Sequence, residues 1–369
     1  MTVHGEVGPG LEAVREAFDR VAGSSAGGVA FSVVRGGESL VELWAGEAAP
    51  GVPWTRDTRV VLFSGTKGIV ATVLAMLTAH GLIGPGERVA RYWPEFAAGG
   101  KSDVLVSHVL AHTVGLPYVE PDLPMFDNAA NAAALAAQSP LWMPGTRVAY
   151  HAMTYGYLAT ELVRRVTGQG LGELVQEMLA APHELDLRLY TPADVPVATL
   201  FRAPGYRIST FLQDEERRRI VERMYRGLLD SVETMNSPEY RGAELAAGGA
   251  TGTAADMARL YDLLLSGALV PQPVVAQATR TWSEGVDAIN DRPLHFGLGY
   301  ELADPIGTYG PVEVAFGHSG AGGGRHGAWP TSGIGFSFTT NELRAEDVDD
   351  RASSLLAALA FALRLRQPA

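Results

Sequence analysis

Phe63-Ser64-Gly65-Thr66-Lys67-Gly68 stands where a β-prone run, Arg59–Phe63, meets a long apolar stretch that reads as a helix. Ser64 falls at the helix N-terminus and Lys67 one turn later, and residues three apart on a helix share a face. A serine hydroxyl becomes a nucleophile when a base lies within hydrogen-bonding reach. Lysine can be that base only if it gives up its proton near neutral pH, about three units below its free value of about 10.4. Burial among Val61, Leu62, Ile69 and Val70 and the positive end of the helix both push in that direction. The shift costs roughly 4 kcal/mol. The plainer reading is a serine N-cap followed by a surface lysine, because Ser-x-x-Lys arises often by chance.

A second candidate is Tyr150, shortly after Trp142-Met143-Pro144-Gly145 and just ahead of a helical pattern. Its phenolate could take the Ser64 proton, or relay it through Lys67, and a lysine–tyrosine pair titrates as a unit. Taken alone, the same tyrosine reads as a core residue whose hydroxyl finds a partner. The third candidate is Phe316-Gly317-His318-Ser319-Gly320-Ala321-Gly322 at a strand end, where glycines allow close backbone approach. An oxyanion hole needs two amides aimed at one point, and those of Ser64 and Ala321 are natural partners. His318 could hold substrate or brace the serine, lysine and tyrosine.

Other motifs fall short. Gly317-His318-Ser319-Gly320 would be a nucleophile elbow, but Ala321 stands where the last glycine belongs. Gly322–Gly327 fits G-x-G-x-x-G, yet Trp329-Pro330 follows where a helix is needed, so no dinucleotide is expected. His108 and His112 are four apart with no third ligand in view, and read as structural.

The 369 residues contain no cysteine, which excludes thiol nucleophiles, disulfides and cysteine-ligated metal. Twenty-nine basic against 41 acidic side chains leave a net charge of −12, which argues against nucleic-acid binding. Met1–Gly10 lacks the basic start and apolar run of a signal peptide, and residues 68–84 are too interrupted to span a membrane. A cytoplasmic enzyme with no membrane partner is the expectation.

The elements that must position these groups follow from periodicity. Helices are expected over 9–22, 65–80, 154–167, 213–230 and from Thr253 to Gly267, with a final one marked by Leu355, Leu359 and Leu363. Gly28–Val34 and Glu38–Trp44 read as a hairpin turning at Gly36-Gly37. Further strands are expected at Val312–Phe316 and through Ile334, Phe336 and Phe338. From about 85 to 240 the texture is helical and proline-rich. The layout predicts an α/β (α+β) protein whose mostly antiparallel sheet comes from both chain ends, with a helical lobe between.

Ser64-Gly-Thr-Lys67, Tyr150 and His318-Ser-Gly320, in that order, resemble the S-x-x-K, tyrosine and K/H-x-G motifs of the serine β-lactamase and penicillin-binding-protein superfamily. Within it the chain looks most like class C β-lactamases and family VIII carboxylesterases. Val41–Gly46, Val109–Pro117, Trp142-x-Pro-Gly145 and Gly252–Leu263 match as well, so the resemblance covers nearly the whole chain. It implies an antiparallel sheet flanked by terminal helices, a discontinuous α/β domain (1–84 and 241–369) and an inserted all-helical domain (85–240). It further implies a Ser64 acyl-enzyme, Lys67 and Tyr150 exchanging its proton, an oxyanion held by the Ser64 and Ala321 amides, and no cofactor.

Where β-lactamases usually carry Tyr-x-Asn and Lys-Thr-Gly, this chain has Tyr150-His151-Ala152 and His318-Ser319-Gly320. The missing asparagine and lysine would position a β-lactam, so an ester is the expected substrate. The candidate substrate contacts are Trp142, His151, His318, Ser319, Gly320 and Arg325. Arg325 or His326 would meet a polar or anionic acyl donor, or else face solvent from an edge strand. Hydrolysis of a small-molecule acyl donor is the first expectation. Transfer to an alcohol or amine in natural-product biosynthesis is the alternative; a β-lactamase, a D-aminopeptidase or an inactive ligand-binding homologue come after it. Trp142, Tyr206 and the 213–230 helix would shape an acceptor site.

Overall fold

The computed structural model describes residues 1–207, 214–225, 228 and 231–365. The strands Val29–Arg35 and Glu38–Ala45 form the hairpin expected from Gly36-Gly37. Both glycines take positive φ, 59° and 82°, as a two-residue turn between twisted strands requires. Asp262 latches this turn by accepting the Gly36 and Gly37 amides at 2.7 and 2.9 Å.

The hairpin belongs to a nine-stranded sheet. Its order is Val3–Val7, Glu38–Ala45, Val29–Arg35, Ile334–Thr340, Arg325–Trp329, Phe316–Ser319, Glu301–Leu302, Pro293–Phe296 and Ser283–Val286. Every pairing in it is antiparallel, and both ends of the chain contribute strands. Side chains alternate between the faces of a strand. Val29, Phe31 and Val33 therefore pack with the terminal helices Glu12–Ser24 and Arg351–Ala362. Ala30 joins the opposite core, built on the helices Gly65–Ala79 and Ala254–Ser266.

Thr253 caps the second of these, accepting the Asp256 amide at 3.1 Å, and Gly267 ends it at φ 80°. The helix Thr154–Thr167 stops at left-handed Gly168. Between 85 and 240 the described residues are mainly helices and loops; Phe201–Arg202 is a two-residue strand paired with Glu342–Leu343. The charged helix expected over 213–230 runs over Glu215–Met224; positions 213, 226, 227, 229 and 230 lie outside the described residues.

Three expectations need correcting. The strand placed at Val312–Phe316 begins only at Phe316, because the Val312 amide turns back onto Gly310 at 2.9 Å. The run Arg59–Phe63 supplies only Val60–Val61, paired with Thr251–Gly252. Arg325 and His326 lie on an interior strand, bonded on both sides, rather than on an edge.

Asp262→Ala leaves two turn amides without their ionised acceptor and is expected to lower stability by about 1.5–3 kcal/mol. An unchanged midpoint in equilibrium denaturation would show that the latch is idle.

Candidate active site

The first turn of the helix Gly65–Ala79 presents Ser64 and Lys67 side by side, with Lys67 Nζ 3.1 Å from Ser64 Oγ. Lys67 is fully buried. Its amine also donates to the Ala152 carbonyl at 2.9 Å and the Ala247 carbonyl at 2.8 Å. A neutral amine has two N–H groups and one lone pair. Two carbonyls and one hydroxyl match that set, with the lone pair directed at Ser64. Burial lowers the Lys67 pKa to about 7, against the opposing pull of the Glu301 charge and with help from Arg292. Keeping the charged form in this place costs about 5 kcal/mol relative to water.

Tyr150 donates its hydroxyl to Ser64 Oγ at 2.7 Å, and Lys67 Nζ lies 4.9 Å from the centre of its ring. Burial, with the nearby negative charge of Glu301, holds the phenol well above its usual pKa. The phenolate is thus the disfavoured form, and Tyr150 is a proton donor to the serine oxygen while Lys67 is the available acceptor. The segment is pinned from three sides: the Tyr150 amide donates to Asp287 at 3.2 Å, and the amides of Ala149 and His151 donate to His112 O at 3.1 Å and His112 Nδ1 at 3.0 Å.

Phe63, just before the serine, holds φ at 47°, a conformation costly for an aromatic residue. It turns the chain so that Ser64 faces the cleft. The strand Phe316–Ser319 brings Gly320 against that turn, where a Cβ would stand 2.6 Å from the Leu62 carbonyl oxygen. Ala321 follows directly and lines the same cavity as Ser64. Among the described residues the amides of Ser64 and Ala321 donate to no other group, leaving both free for a developing oxyanion.

The β-lactamase family profile matches residues 14–360. The chain belongs to the β-lactamase family. It is similar to the esterase/β-lactamase LipL of Mycobacterium tuberculosis, with 33% identity covering 92% of this chain and 83% of that protein. Among solved structures it resembles a penicillin-binding-protein homologue from Caulobacter crescentus at 31% identity and a TM-score of 0.91, covering 98% of this chain and all of that one. It also resembles a family VIII carboxylesterase at 30% identity and a TM-score of 0.89, with the same coverage. This β-lactamase-family protein is an enzyme, a serine hydrolase. No helix among its described residues is long and apolar enough to cross a membrane.

Of the expected substrate contacts in this β-lactamase-family cleft, Ser319, Gly320 and Arg325 line the cavity. Arg325 is anchored there, donating to the Thr308 carbonyl at 2.6 Å and Ser353 Oγ at 3.1 Å. Trp142, His151 and His318 do not reach it. Trp142 packs against the cluster around Tyr118 and Val148. The His151 ring is fully engaged behind the site, donating from Nδ1 to Ala149 O at 2.6 Å and accepting the Leu116 amide on Nε2 at 3.0 Å. His318 is completely buried, with its ring 6.1 Å from that of Tyr150 and Nδ1 2.9 Å from its neighbour's carbonyl. Burial lowers its pKa to about 4, so it braces Tyr150 as a neutral ring. His326 points away from the cavity, bonded to Ser337 at 2.8 Å and packed on Gly65. Tyr206 does line it.

Sequence reasoning missed Glu301 and Arg292, which also line the cavity. The alternation of Phe296, Leu298, Tyr300 and Leu302 is no guide to Glu301, because the chain turns at Gly297–Gly299 and makes Glu301 the cross-strand partner of Phe296. Nothing local marks Arg292.

If Lys67 accepts the Ser64 proton, kcat/KM for a neutral ester falls about tenfold per pH unit below a midpoint near 7, as Lys67 becomes protonated. No loss tied to Tyr150 is expected up to pH about 10, since its pKa is raised above that value. A flat profile between pH 5 and 8 would remove Lys67 as the base. Gly320→Ala should displace the Ala321 amide and lower kcat by about 10²–10³ with little change in KM.

Proposed function

We propose that the protein is a carboxylesterase that works through an acyl-enzyme on Ser64. The observation that carries this reading is the buried Lys67 amine, satisfied by two carbonyls and directed at Ser64 Oγ. As Oγ attacks the ester carbonyl, its proton passes to Lys67, and the amides of Ser64 and Ala321 take the negative oxygen. Collapse breaks the bond to the leaving oxygen, which receives the Tyr150 proton; the Lys67 ammonium restores that proton. Water then repeats the sequence, attacking acyl-Ser64 to release the carboxylic acid and regenerate the serine.

An ester is favoured over a β-lactam by the residues on the cleft wall. The strand position that could offer a cation holds His318, buried and neutral, and position 152 is Ala152, whose contribution is a carbonyl to Lys67. The name of the related family VIII carboxylesterase points the same way, while that of LipL carries both activities.

A serine-directed fluorophosphonate should label Ser64 in the wild type and leave Ser64→Ala unmodified, as read by mass spectrometry of the peptides. Lys67→Ala should label about 10²–10⁴-fold more slowly. Persistent labelling of Ser64→Ala would remove the nucleophile, and cephalosporin turnover rivalling that of a short-chain ester would reverse the substrate order. Product analysis with an added amine separates hydrolysis from transfer.

A further inference from the structure

We propose that the cleft wall beside Tyr150 is a subsite for a zwitterionic head group, an ammonium and a carboxylate carried together on the leaving alcohol or on an acyl acceptor. The inference rests on the ester-cleaving reading of Ser64 and names what that site takes.

Glu301 supplies one pole. Its side chain is only 12% exposed. Oε2 is occupied, accepting the Tyr309 hydroxyl and, at 2.9 Å, the Ser319 amide. Oε1 has no partner among the described residues, and the side chain lines the cavity that holds Ser64. Burial opposes its ionisation, yet the adjacent His318, cationic only in the acid range where this carboxyl titrates, together with Arg292 and the two donors holds its pKa at about 2. A carboxylate held that low is too weak a base to activate water. Its open oxygen is an acceptor awaiting a donor, and a cationic donor gives the stronger bond.

Arg292 supplies the other pole. Its guanidinium stands 5.4 Å over the Tyr150 ring. Nη1 meets Glu346 at 3.2 Å, and that partner is more than half exposed, so the pair is screened by solvent. The remaining N–H groups have no partner among the described residues, and Arg292 lines the same cavity as Glu301. The two side chains form no ion pair with each other. Unlike charges held apart, each with unused hydrogen-bonding capacity, match a ligand carrying both charges. An apolar group here would desolvate both without replacing their bonds. A group of single charge would satisfy one pole and be repelled by the other.

The wall lies on the leaving-group side. Tyr150 donates to Ser64 Oγ at 2.7 Å and passes its proton to the departing oxygen, and Arg292 covers the same ring. An acyl acceptor would enter by the same side.

Four aryl butyrates with one reacting group test the idea on the intact protein: O-butyryltyrosine, O-butyryltyramine, 3-(4-butyryloxyphenyl)propionate and 4-propylphenyl butyrate. We expect kcat/KM for the zwitterion to exceed that for the neutral ester about tenfold, and to exceed both singly charged esters. Glu301→Gln keeps an acceptor for Tyr309 and Ser319 but turns the cavity-facing atom into a donor. It should bring the zwitterion-to-neutral ratio within about twofold of unity, as should Arg292→Met. Comparing ratios within each variant cancels any general loss of activity, and the wild-type ranking needs no variant. Equal or better turnover of the neutral or a singly charged ester overturns the subsite while leaving the esterase reading standing. Failure to cleave any of the four, the neutral ester included, overturns both.

Discussion

An amine removed from water is the constraint around which this protein is arranged. Lys67 lies in a helix whose first three turns are buried throughout, and burial brings its pKa to about 7. That is useful only because the amine is not stranded. Ala152 and Ala247, from segments far apart in sequence, each offer a carbonyl, and Ser64 offers a hydroxyl. As a neutral amine the group donates twice and accepts once; as an ammonium it donates three times. The same three neighbours satisfy both states, so a proton can move without rearrangement of the site.

Tyr150 is held in its neutral form by what lies behind it. His112 packs against its ring at 5.1 Å between centroids and His318 at 6.1 Å, and Phe296 stacks parallel at 6.2 Å. Burial pushes both histidines down, so neither places a positive charge against the phenol that would favour its phenolate. The negative charge of Glu301 works in the same direction. The tyrosine therefore remains a donor next to an amine that can accept, and the two halves of a proton exchange are separated by environment alone.

Backbone geometry closes the arrangement. Phe63 bears an unfavourable φ because the chain must turn abruptly into the helix, and glycines permit the close contacts that keep it there. A side chain at Gly65 would enter the His326 ring at 2.5 Å, and one at Gly68 would meet the Tyr261 hydroxyl at 2.3 Å. At these positions the strand Arg325–Trp329 and the helix Ala254–Ser266 come close against the helix that begins after Ser64.

Ser64 and Lys67 were legible as neighbours because one turn of an apolar helix sets them side by side, whereas Tyr150 was singled out by the family resemblance, since it meets Ser64 across 86 residues of chain. The hairpin at Gly36-Gly37 and the helices ending at Gly168 and Gly267 were legible because turn and cap residues act on their immediate neighbours. What the sequence could not decide was which way a side chain faces once strands assemble. His318 and His151 carry the chemistry of ligand contacts, yet they are buried because the elements on both sides of them are covered. Arg292 and Glu301 look like ordinary charged residues and reach the cleft only because their local hairpin packs on a distant segment, with the Tyr150 amide on Asp287 and the Phe296 ring stacked on Tyr150. Local order determined that Ser64 and Lys67 share the first turn of one helix. The shape and charge of the space around them were decided by contacts between residues far apart in the chain, which no local pattern encodes.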